Sequence, residues 1–215
     1  MSVAGNLSKI KSEIPPHVKL IAVTKTHPPE KIMEAYNAGH KIFGENKVQE
    51  LTAKYVQLPK DIEWHLIGHL QTNKVKHIAP FVSLIHSVDN MKLLREIDKH
   101  AEKNKRVINC LLQIHIAQEE TKFGLSFEEA EQLLGSEEMK LLNHVRIAGL
   151  MGMATLTNDE GRIRTEFHLL KVFFEKLNLR ILSMGMSSDY KIAVEEGSNL
   201  VRVGSLIFGE RDYAR

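Results

Sequence analysis

The feature that most constrains this chain is an alternation. Short β-branched or apolar runs are each followed by a longer polar or amphipathic stretch. The runs lie at 18–23, 41–43, 63–67, 84–87, 107–114, 145–151, 181–184 and 200–203. Helix-like stretches lie between them at 29–37, 46–55, 71–78, 90–104, 126–134, 159–177 and 188–196. The runs are too short and too evenly apolar for an antiparallel sheet with one wet face, and match strands covered on both sides. Strand–helix alternation of this kind gives an α/β fold with a parallel sheet. Eight such units within 215 residues fit a (β/α)8 barrel, which can be as small as about 200 residues. The rival is a doubly wound open sheet, whose dinucleotide form needs a glycine-rich turn after the first strand. Here that turn is Thr24-Lys25-Thr26-His27-Pro28-Pro29, without glycine, and no phosphate-binding P-loop sequence occurs. The expected architecture is therefore one TIM barrel domain over residues 1–215 with no second domain.

Composition narrows the partners. Hydrophobic residues make up 43% of the chain, enough for a sizeable core, and the net charge is only +2. So balanced a surface carries no field that marks a nucleic-acid or membrane partner. Aromatics at 6% are too sparse for base-stacking platforms. No apolar run approaches the roughly 20 residues of a membrane span. Cys110 is the single cysteine, set among Val107, Ile108, Leu111 and Leu112. It reads as a buried, inert thiol, and a reducing cytoplasmic location with a monomeric chain is expected.

In a barrel, chemistry collects at the C-terminal ends of the strands. Lys25 follows the first apolar run, where partial desolvation would favour a neutral, nucleophilic amine. The seventh run leads into Ser183-Met184-Gly185-Met186-Ser187-Ser188-Asp189, with Ser187 or Ser188 as a natural helix N-cap. The eighth leads into Arg202-Val203-Gly204-Ser205, where glycine permits close backbone approach and serine adds a hydroxyl. Barrels frequently bind phosphate with the loops after strands 7 and 8. A lysine on strand 1 facing such a cradle suits a phosphorylated aldehyde or ketone. Arg202 would point inward, and a guanidinium beside a pyridine nitrogen keeps that nitrogen unprotonated. Asn46 follows the second run and is either a ring ligand or the next helix's N-cap. Met151, Met153, Met184 and Met186 are expected to wall the pocket. His65 and His69 have helical metal spacing, but they lie on a strand-like run without the glutamate of a zinc motif, so no metal is expected. His27 reads as a loop residue, and Lys122 as a possible guard of the opening.

These residues carry a resemblance. Ala22-Val23-Thr24-Lys25-Thr26, Phe43-Gly44-Glu45-Asn46-Lys47-Val48-Gln49-Glu50 and Trp64-His65-Leu66-Ile67-Gly68-His69-Leu70-Gln71-Thr72-Asn73-Lys74 are its first blocks. Lys122-Phe123-Gly124-Leu125, Gly149-Leu150-Met151, Leu182 to Ser187 and Val201 to Arg211 continue it. The chain resembles the pyridoxal-phosphate homeostasis protein family, also called the proline-synthase co-transcribed family, along essentially its whole length. The resemblance implies a barrel like the N-terminal domain of alanine racemase. It implies pyridoxal 5'-phosphate (PLP) as cofactor, held by Lys25 as an internal aldimine. Ser187, Gly204 and Ser205 would bind the phosphate, with Arg202 near the pyridine nitrogen, Asn46 near the ring and Met184 against the pocket. The family usually has Ser at Thr24 and Tyr at Lys47. The lead-in before the first strand is short, so a truncated first helix is expected.

The chain ends at Arg215, just after the eighth strand and its loop, leaving no residues for the second domain that gives racemases an opposing base. Without that base, general acid–base catalysis loses its usual roughly 10²–10⁴-fold contribution. The expected function is therefore PLP buffering or delivery without robust turnover, with apo enzymes that use PLP as candidate recipients. The alternatives are a small PLP-dependent racemase or decarboxylase, and a Schiff-base aldolase acting on a sugar phosphate.

Overall fold

A computed structural model describes residues 2–119 and 123–209. Lys122 lies outside the described residues. Eight parallel strands close into a barrel in chain order. They are β1 (Lys19–Val23), β2 (Ile42–Glu45), β3 (Glu63–Leu66), β4 (Leu84–Val88), β5 (Ile108–Ile114), β6 (Val145–Gly152), β7 (Ile181–Ser183) and β8 (Leu200–Val203). The helices that cover them include α1 (Val3–Glu13), α2 (Pro29–Asn37), α3 (Val48–Gln57), α4 (Val75–Ile78), α5 (Met91–Lys103), α6 (Phe127–Gly135) and α7 (Glu137–Leu141). After β6 come α8 (Glu160–Lys176), α9 (Tyr190–Glu195) and α10 (Ser205–Phe208). β1 closes the ring against β8 in the register Lys19↔Leu200 to Ala22↔Val203.

Local sequence explains the starts of several helices. Ser2, Asn90, Ser136 and Asp159 each accept a backbone N–H from the first turn that follows. Ser126 and Glu129 form a reciprocal capping box on α6. The first helix is not truncated: α1 runs 11 residues. Val3, Leu7 and Ile10 recur at helical spacing and are buried, so the short lead-in still makes an amphipathic helix. Asn6 Nδ2 donates to the Ile207 carbonyl at 3.0 Å, and Tyr190 donates to Glu13 at 2.5 Å. Helix α1 thus ties down α9 and α10, which follow β7 and β8.

Strand alternation divides the interior into two layers. Outward residues such as Phe43, Trp64, Ile85, Cys110, Leu150, Leu182 and Val203 pack under the helices. Inward residues Ile21, Val23, Leu84, Leu111, Met151 and Leu200 fill the barrel. Cys110 is fully buried in the outer layer, and burial pushes its thiol well above the usual range. Gly149 faces Ile181 across β6 and β7. A Cβ there would lie 1.8 Å from the Ile181 carbonyl oxygen.

Buried histidines set an acid limit on the fold. Burial, assisted by Lys11, lowers His40 to about 4. Burial, assisted by Lys19, lowers His65 to about 3. His86 is also held well below 6.5, by burial first and then by His65 and Arg202. A depressed histidine contributes stability that is present above its unfolded value of 6.5 and lost as pH falls through the folded one. Glu45 acts oppositely, since burial raises it from 4.5 to about 7 against the pull of Lys54 and Thr24. Three histidines outweigh one carboxyl. Urea denaturation between the unfolded histidine value of 6.5 and pH 4.5 should therefore show stability falling with acidification. The slope is up to about 1.4 kcal/mol per pH unit for each histidine. A flat or rising profile over that window would contradict this.

Candidate functional site

The strands are parallel, so the loops after them converge on one mouth of the barrel. A cavity of about 330 Å³ opens there, lined by residues that include Lys25, His27, Asn46, Met153, Met186, Ser187, Arg202, Gly204 and Ser205. Six of the seven expected ligands thus meet in one place. Met184 does not. It follows Ser183 and points to the opposite face, so its side chain is fully buried in the outer layer. Met186 and Met153 take the wall positions instead, while Met151 packs inside the barrel.

The loops after β7 and β8 are joined directly. The Gly204 backbone N–H donates to Ser187 Oγ at 3.2 Å. Ser187 therefore does not cap α9, whose N-cap is Asp189. A Cβ at Gly204 would lie 3.2 Å from the Val23 carbonyl oxygen, so a larger residue would crowd β1 just before Lys25. Ser205 starts α10 immediately after Gly204. Asn46 lines the cavity, and the N-cap position of α3 falls to Lys47. His27 packs against Phe208 with ring centroids 5.0 Å apart. His65 lies inside the barrel on β3, while His69 stacks on Phe123 with centroids 4.7 Å apart.

Lys25 is half-buried and sits on a braced turn. Thr24 before it is fully buried and donates to Glu45 Oε1 at 2.5 Å. Thr26 after it has φ of 69°, uncommon for a residue with a Cβ. Its N–H donates to Glu50 Oε1 at 2.6 Å. Lys54 ties the brace together, donating to the Thr24 carbonyl at 2.8 Å, Glu45 Oε1 at 2.7 Å and Glu50 Oε1 at 2.6 Å. Sequence reasoning missed this cluster. Its one readable signal was the i,i+4 pair Glu50 and Lys54 on α3.

Arg202 is buried on β8 and donates from Nη1 to the Ser183 carbonyl (2.9 Å) and Oγ (2.5 Å), and from Nη2 to the Gly152 carbonyl (3.0 Å). Burial lowers its guanidinium to about 10, opposed by Asp189, and leaves it charged at neutral pH. The site therefore combines an amine, hydroxyl and backbone donors at two adjoining loops, and one oriented cation. That set matches a small phosphorylated carbonyl compound with a ring acceptor.

Residues 2–212 match the family described as alanine racemase, N-terminal domain. A pyridoxal phosphate homeostasis protein from Aquifex aeolicus is 44% identical over 202 residues, spanning 91% of this chain and 88% of the relative. The chain belongs to the pyridoxal phosphate homeostasis protein family. The structure of PipY from Synechococcus elongatus PCC7942, with PLP bound, is 37% identical and superposes with a TM-score of 0.88. It covers 97% of this chain and 100% of PipY. An alanine racemase from Clostridium difficile 630 shares the barrel at a TM-score of 0.78 with 13% identity, and the match spans 58% of that enzyme. This family chain thus shares its fold with racemases. Among its described residues, no helix is long and apolar enough to cross a membrane.

Proposed function

We propose that this chain binds PLP through Lys25 and serves PLP homeostasis by holding the cofactor rather than turning over a substrate. The carrying observation is the meeting of Lys25, Arg202 and the Ser187–Gly204–Ser205 loops in one cavity. PLP, when bound, supplies an aldehyde that condenses with amines and a pyridine ring that withdraws electrons. Lys25 offers the amine, presented by the brace at Thr24 and Thr26. Ser187, Ser205 and the backbone near Gly204 offer donors to the phosphate. Arg202 would face the ring nitrogen as a donor that keeps its own proton, which would leave the ring a weak electron sink. Asn46, in the cavity lining, would orient the ring substituents.

The cavity lining also supports holding over conversion. Apart from Arg202, its titratable side chains among the described residues are Lys25 and His27. Both come from one loop, so neither stands opposite the other as two-base chemistry needs. A buried lone cysteine fits a reducing cytoplasm, and we propose a monomer there, passing PLP to apo enzymes.

The test is borohydride reduction of the PLP-loaded protein followed by peptide mass spectrometry. The pyridoxyl group is expected on Lys25, and Lys25→Ala should lose the visible absorption band. An adduct that persists on another lysine in Lys25→Ala would overturn the assignment. Chiral analysis of alanine incubated with the loaded protein should show no racemisation. Turnover in the usual range of roughly 1–10³ s⁻¹ would replace the holding role with catalysis.

A further inference from the structure

Four polar side chains cross the barrel interior amid the apolar filling. His65 on β3, His86 on β4, Ser183 on β7 and Arg202 on β8 are all buried. Arg202 Nη1 stands 2.5 Å from Ser183 Oγ. Ser183 Oγ stands 3.2 Å from His86 Nδ1, and His86 Nε2 stands 3.1 Å from His65 Nδ1.

The protons in this chain can be placed. A guanidinium has donors only, so Ser183 Oγ accepts from Arg202. Ser183 Oγ could accept a second bond, but His86 Nδ1 is the one acceptor within reach of its own proton among the described residues, so the hydroxyl donates to His86 Nδ1. Neutral imidazole carries one proton, so that of His86 sits on Nε2 and is donated to His65 Nδ1. His65 in turn carries its proton on Nε2. Both rings must be neutral for this arrangement, and burial holds both well below the usual histidine range. His65 also lines a second cavity, about 470 Å³, at the N-terminal mouth of the barrel beside Lys19, Asn109 and Arg180. The chain therefore runs in one direction, from the guanidinium at one mouth to an imidazole at the other.

We propose that Ser183, His86 and His65 are positioning residues for Arg202: a directional hydrogen-bond chain that fixes the guanidinium toward the cofactor cavity and links it to the N-terminal cavity. This deepens the reading of the PLP site and rests on it. Each bond in such a chain polarises the next. His86 makes Ser183 Oγ a stronger acceptor, and Ser183 holds Arg202 against the barrel wall. Without the hydroxyl, the guanidinium would lose one of its fixed acceptors and no longer be held in one orientation toward the cofactor cavity.

Two measurements test this. In the cofactor-free, ¹⁵N-labelled protein, long-range ¹H–¹⁵N correlation should show His65 and His86 both protonated on Nε2 through the usual histidine range. In the loaded protein, Ser183→Ala should shift the visible band and weaken PLP binding about tenfold, matching the loss of one hydrogen bond to a charged group. Ser183→Thr keeps the hydroxyl and should retain the original band. A proton on Nδ1 of either ring overturns the chain's direction. An unchanged band and affinity in Ser183→Ala overturns the positioning role. The histidine measurement needs no cofactor, so its failure is distinct from failure of the Lys25 assignment.

Discussion

Gly149→Ala is expected to cost more stability than any other single-methyl addition to the barrel wall. The new Cβ would lie 1.8 Å from the Ile181 carbonyl oxygen and 2.6 Å from its carbon. Those are backbone atoms of the paired strand, so no side-chain rotation relieves the clash. β6 and β7 must separate locally, and their pairing at Gly149↔Ile181, Leu150↔Leu182 and Met151↔Ser183 goes with it. Losses above about 4 kcal/mol come from such mechanisms, and a domain has only about 5–15 kcal/mol in total. Circular dichroism with urea denaturation should find the variant unfolded or far weaker. A shift within about 0.5 kcal/mol, as for ordinary surface changes, would show that β6 and β7 do not approach this closely.

Lys54→Met should destabilise the fold and impair the cofactor site together. Lys54 is 5% exposed and Glu45 fully buried. Without the ammonium, Glu45 is raised further and takes up a proton, while Glu45, Glu50 and the Thr24 carbonyl lose their shared donor. Glu45 Oε2 already has no hydrogen-bond partner among the described residues. Leaving a buried acceptor without its donor costs about 1–3 kcal/mol. Thr24 and Thr26 also lose the brace that shapes the turn around Lys25, so PLP affinity should fall as well. Adding Glu45→Gln removes the proton uptake that Glu45 otherwise undergoes and should recover part of the stability at neutral pH. Denaturation curves with fluorescence titration of PLP would check both effects. Equal stability of Lys54→Met and the unchanged chain would refute the pairing.

The barrel was legible because the alternation has few solutions. Runs that are apolar on both faces, each followed by a helix-length stretch, have to be parallel strands. Mouth residues were legible for the same reason: Lys25, Asn46, Ser187, Gly204 and Ser205 follow strand ends, Arg202 sits near the end of β8, and strand ends converge. What failed was parity. Met184 is one residue beyond Ser183, and that single step moves its side chain from the barrel interior to the outer layer. The interior chain from His65 to Ser183 was invisible for a related reason. Which inward residues of β3, β4 and β7 share a level depends on register, and one sequence does not print register. The brace of Glu45, Glu50 and Lys54 lies on the outer side of the strand ends, where attention to the mouth overlooks it.

The order in which the chain is made gives the closure of β1 on β8 another meaning. Lys25 leaves the ribosome early, but its facing residues Ser187, Gly204 and Ser205 come from the last loops. The closing pairs, Lys19↔Leu200 among them, also have the largest sequence separation in the barrel, the kind of contact that folds late. A nascent chain therefore carries the amine without the cradle. With the proposed site, capture of PLP would belong to chains synthesised past Ser205, and unfinished or clipped copies would leave the cofactor free.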